Sequence, residues 1–133
     1  MSTQEVITNE PLNEEQVRAA FLNRPKKRVP FEESIEGLEQ LDGQLAIQEL
    51  SAAATTHVEL LAKQRDGEAD EALMLAGIVA KALVLRRTHN RIFKDTDIQA
   101  VSEFGLSILK PLSEKIAEVS GISPDALTNA KKN

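Results

Sequence analysis

Residues 72–85 read ALMLAGIVAKALVL, and this run decides how the chain folds. Its single charge is Lys81, and every other position is apolar or Gly77. A surface helix carries a polar face, so a helix that is apolar on almost every side is one that is covered on almost every side. The run is too short to cross a bilayer, which takes about 18 apolar residues or more. Ala72, Ala76, Gly77 and Ala80 share one sector of the helical wheel, and Leu75, Ile78, Val79 and Leu85 fill much of the rest. Small side chains let another backbone come close, while bulky ones fill a core. Two readings follow. Either the run is the central helix of a small domain, or part of its cover comes from a second copy of the chain.

Outward from that run, the composition sets bounds. A chain of 133 residues is the length of one domain and can bury a core without disulfides or metal. Cysteine is absent, which excludes disulfide frameworks, cysteine zinc sites and thiol catalysis. No segment near Met1 joins a basic start to an apolar stretch, so no secretory signal is expected. There is no Trp and no Tyr, and only four Phe, a poor supply for stacking on bases. The net charge of −5 is unevenly spread: +4 over residues 21–31, −9 over 32–71 and +5 over 72–94. Alternating blocks suit contact between copies or with a charged partner.

The expected fold class is mainly α, a small multi-helix domain with a short β-hairpin near residues 35–49. Residues 1–12 are polar and read as a mobile N-terminal segment, leaving 13–133 as a single helical domain. Asn13 and Gln16 have the spacing of a capping box, and Val17, Ala20 and Phe21 mark the apolar side of a short helix that ends by Pro25. Asp42-Gly43 signals a turn, and the hairpin expected there pairs 35–40 with 44–49. Ser51 caps a helix running from Ala52 to about Gln64, closed by Arg65-Asp66-Gly67. The central helix then spans Ala72 to Leu85.

Beyond it, Arg86, Arg87 and Arg91 lie in a basic connection. Asp95 reads as the cap of a long helix with Ile98, Val101, Gly105, Ile108, Leu112, Ile116 and Val119 along one face. Pro111 predicts a kink or break, because it lacks an N–H and crowds the Ser107 carbonyl. Ser120-Gly121 stops that helix, and Ser123-Pro124 opens a last one through Ala130. Phe93 is expected to be a buried anchor that staples the start of the long helix.

Catalytic chemistry has little to stand on. The six glycines are scattered, and neither His57 nor His89 sits in a ligand pattern, so no phosphate loop, metal or cofactor is expected. Paired acids such as Glu32-Glu33 read as solvated charge. No serine has a base and an orienting group set out for it, and the chain is not expected to be an enzyme. The basic link invites a helix-turn-helix reading, but the helix after it opens Asp95-Thr96-Asp97, which repels phosphate.

Leu83-Val84-Leu85, Arg91-Ile92-Phe93-Lys94-Asp95-Thr96-Asp97 and Ser120-Gly121-Ile122-Ser123 resemble the tail assembly chaperones of long non-contractile-tailed bacteriophages. Pro111 departs from that pattern. The resemblance implies a helical protein of the infected or lysogenic host's cytoplasm, absent from the mature virion. It implies a homo-oligomer that keeps the tape measure protein soluble, with the major tail tube protein as a further partner, and without membrane or nucleic acid. Many members are also made as a longer, frameshifted form, for which codons behind Lys131-Lys132 are a candidate. For self-association or partner binding, the residues singled out are Ala72, Ala76, Gly77, Ala80, Arg86, Arg87, Arg91, Ile98, Val101, Ile108 and Leu112. The alternative is a small helical regulator or adaptor that binds nucleic acid through Lys26, Lys27, Arg28, Arg86, Arg87 and Arg91.

Overall fold

A computed structural model of the chain describes residues 10–63 and 70–123. In chain order they form helix α1 (Glu14–Leu22), strand β1 (Arg28–Pro30), a 3-10 turn (Glu39–Leu41), strand β2 (Leu45–Gln48), and helices α2 (Ala52–Ala62) and α3 (Glu71–Ala82). Strand β3 (Leu83–Leu85), a second 3-10 turn (Asp95–Asp97), helix α4 (Ile98–Val101) and helix α5 (Leu106–Ser120) follow. The domain is mainly α, with one small antiparallel sheet ordered β1-β2-β3. The expected helix end at Arg65-Asp66-Gly67, the last helix through Ala130 and Lys131-Lys132 lie outside the described residues, as does most of 1–12.

Local chemistry places the helix starts. Asn13 Oδ1 accepts from the Gln16 N–H at 2.8 Å while Gln16 Oε1 accepts from the Asn13 N–H at 3.0 Å, a complete capping box. Ser51 Oγ caps α2 through the Ala54 N–H, and Asp70 Oδ1 caps α3 through the Leu73 N–H. At the far end of the chain Gly121 takes φ 74° and closes α5, with the Ile122 N–H donating to the Ala117 carbonyl at 2.8 Å.

Helix α3 is the centre of the packing. Met74 through Ala80 and Ala82 are all buried, against α2, α4 and α5. The small sector is what admits α2: a Cβ placed on Gly77 would stand 2.9 Å from Val58 Cγ1. The cover on this sector therefore comes from the same chain.

Four expectations need correcting. The helix stops at Ala82, and Leu83-Val84-Leu85 leave it directly as β3, opposite Ile47, Ala46 and Leu45. An apolar, partly β-branched run is buried equally well as helix or strand, and β2 supplies the unpaired backbone that decides for strand. Second, β2 lies where the hairpin was expected, but its partners are β1 and β3 in place of 35–40. Residues 31–44 instead tuck Phe31 and Ile35 into the core.

Third, the long helix breaks at Ser102–Gly105 and not at Pro111, which lies inside α5. Gly105 has extended φ/ψ and begins α5, so the weak helix former sets the break. The apolar periodicity survives the break: Ile98, Val101, Leu112, Ile116 and Val119 are buried and Ile108 is half-buried. Fourth, Asp95 does not cap. The carboxylate at the Lys94 N–H is that of Asp97, at 2.8 Å, and Asp95 is drawn elsewhere.

Candidate interaction surfaces

Lys81, the only charge in 72–85, organises a polar cluster across four segments. Its side chain is 12% exposed, with Nζ 3.1 Å from Asp95 Oδ2. The same ammonium lies 2.7 Å from His57 Nδ1 on α2. An ammonium only donates, so in this contact Nδ1 is the acceptor. Arg91 closes the cluster, its Nε donating to the Ala80 carbonyl at 2.9 Å and its NH2 group to Asp95 Oδ1 at 2.8 Å. The hydrogen bond from Arg91, and after it that from Lys81, holds the Asp95 carboxyl below the usual carboxylate range. Asp95 is drawn from its expected cap by two cations it neutralises. Among the described residues no three His, Asp or Glu side chains gather as a metal site would require.

A second anchor fixes the root of α1. Glu49 Oε1 accepts from the Lys27 backbone N–H at 2.7 Å and from Arg24 NH1 at 2.8 Å. These bonds, the backbone one first, lower the Glu49 carboxyl.

The residues singled out for association divide sharply by place. Ala76, Gly77 and Ala80 are sealed inside the domain, as are Ile98, Val101 and Leu112, so none presents a surface to another molecule in this fold. Ile108 is half-buried at the edge of the core. Arg91 is exposed but committed to Ala80 and Asp95. Arg86 stands 4.0 Å from Glu32, and Ala72 and Arg87 are exposed. The basic link is the tip of a tight return off β3, where the Leu85 N–H donates to the Asn90 carbonyl and His89 takes φ 66°. It does not join two helices, as a helix-turn-helix requires.

The large apolar side chains on the outside lie elsewhere. Leu12, Val17, Phe21 and Leu22 belong to α1 and its lead-in, and not one residue of that helix is buried. Leu60 and Leu61 stand out from α2, and Ile92, Phe104 and Leu106 from the segments around α4. The sequence marks Val17 and Phe21 as an apolar side but holds no sign that no other described residue covers them. No helix among the described residues is long and apolar enough to cross a membrane. Compared with protein-family models, with curated proteins and with solved structures, the chain finds no match.

Proposed function

We propose that this protein is a non-enzymatic tail assembly chaperone that keeps an elongated tape measure protein in solution until tail tube subunits enclose it. The observation that carries the reading is the set of separate exposed apolar side chains on a domain whose core is otherwise closed. Leu22 is 67% exposed, Leu106 66% and Leu60 63%. A long helical client that is apolar along one side aggregates when free. Holding it takes weak, repeated, mainly apolar contacts that many copies make and later give up, and avidity across copies supplies the strength. Coexpression with the long reading frame expected downstream should raise the soluble yield of that client. A client that is equally soluble alone would count against the reading.

The nucleic-acid adaptor is less well supported. Of the six cations it would use, Arg28 and Arg91 spend their guanidiniums on Gln48 and Asp95, and Arg86 stands 4.0 Å from Glu32. Steep loss of duplex affinity with salt would be its signature.

A further inference from the structure

We infer that α1 is a self-association helix, pairing antiparallel with α1 of a second copy. The inference rests on the self-association in the reading above, and it is indifferent to which client is held. A nine-residue helix without tertiary cover is marginal in water, since isolated helices shorter than about 12–15 residues barely form. This one has a complete capping box and a root pinned through Glu49, yet none of its residues is buried. What it lacks among the described residues is a partner for its apolar face, where Leu12 is 61% exposed, Val17 40% and Phe21 78%.

The charges on α1 choose the partner. Glu14 and Arg18 lie one turn apart along one margin of the Val17–Ala20–Phe21 face, and neither has an ion-pair partner within 4.0 Å among the described residues. In an antiparallel pair of identical helices, the same margin of each meets the other. A two-fold axis near Gln16 therefore sets Glu14 opposite Arg18 of the second copy, and Arg18 opposite its Glu14. The same axis brings the two Val17 side chains together and lays Leu12 over Ala20 and Phe21. Parallel pairing would bring opposite margins together, so Glu14 and Arg18 would not meet each other. Acid followed by base four residues later is thus complementary to itself, and only in the antiparallel sense. The small patch places the contact at the weak end of protein interfaces, with association at roughly 10–100 µM.

The absence of cysteine makes the test clean. Val17→Cys near the axis should give a disulfide-linked dimer on mild oxidation, well ahead of Ala19→Cys on the far side of α1. In sedimentation equilibrium, Arg18→Glu should weaken dimerisation about tenfold or more, because symmetry counts each repulsion twice. Glu14→Arg with Arg18→Glu should restore it. Circular dichroism should show all these variants folded, as α1 contributes nothing to the core. Equal cross-linking of the two cysteine variants, unchanged association of Arg18→Glu, or a strictly monomeric wild type at millimolar concentration would each overturn the pairing. None of these touches the client reading, which falls only if the client needs no help.

Discussion

Val58 closes over Gly77 so tightly that no Cβ fits between α2 and α3 without displacing it, the nearest approach being 2.9 Å. Gly77→Ala forces Val58 aside, and overpacking of this kind costs about 1–3 kcal/mol. Against this, alanine gains about 1 kcal/mol over glycine as a helix former. A net loss is expected in urea denaturation of the wild-type background. With Val58→Ala already present the clash is gone, and Gly77→Ala should become neutral or stabilising. Equal losses in both backgrounds would show that Val58 is not the obstacle.

Phe93 is half-buried and meets Phe104 edge to face, with ring centroids 5.9 Å apart and planes at 62°. This is less than the buried anchor expected of it. The fully buried cost of about 3–5 kcal/mol should shrink to roughly 1–3 kcal/mol for Phe93→Ala, with about 0.5–1.5 kcal/mol of it shared with Phe104. A double-mutant cycle with Phe104→Ala measures that share. A coupling of zero would mean that the two rings act separately.

Much of this arrangement is legible in the sequence wherever the determinant is local. Asn13 with Gln16, Ser51 and Gly121 cap their helices through bonds reaching only a few residues, so their spacing suffices. Leu83-Val84-Leu85 is not legible in this way, because its state depends on β2, far away in the sequence. Asp95 is misread for a similar reason. It has a cap residue's chemistry, but Lys81 and Arg91 compete for it and win. The periodicity of Ile98 to Val119 identifies the buried face correctly and says nothing of the break at Gly105. The small sector of α3 looks like a surface in search of a partner until α2 is seen lying on it.

The Asp95 cluster makes stability depend on acid. A carboxylate lowered in the folded state adds stability that is fully present above its unfolded pKa, about 3.9, and lost as pH falls through the lower folded value. Asp95→Asn should cost no more than about 1 kcal/mol at neutral pH, since 44% of the side chain is exposed and solvent screens the pair. The gap from wild type should narrow as the pH drops below about 4. Urea denaturation at neutral and acid pH measures it, and a gap independent of pH would remove Asp95 from the account.

Ser120 ties the end of α5 to the lead-in of α2, its hydroxyl accepting from the Leu50 N–H at 2.9 Å. Ser120→Ala leaves that half-buried N–H without its acceptor and should cost about 1–2 kcal/mol. Amide exchange should show a larger loss of protection at Leu50 than in strand β2. Unchanged protection there would mean that the bond contributes little.

In the proposed function, exposed apolar side chains hold the client while the packed face of α3 does not. The most direct measurement is the soluble tape measure protein recovered when it is coexpressed with wild type or with Leu60→Ser/Leu106→Ser. Both leucines are more than half exposed, so the variant should melt like wild type. The account expects it to recover little more client than is soluble alone. A folded variant that protects the client as well as wild type would contradict it.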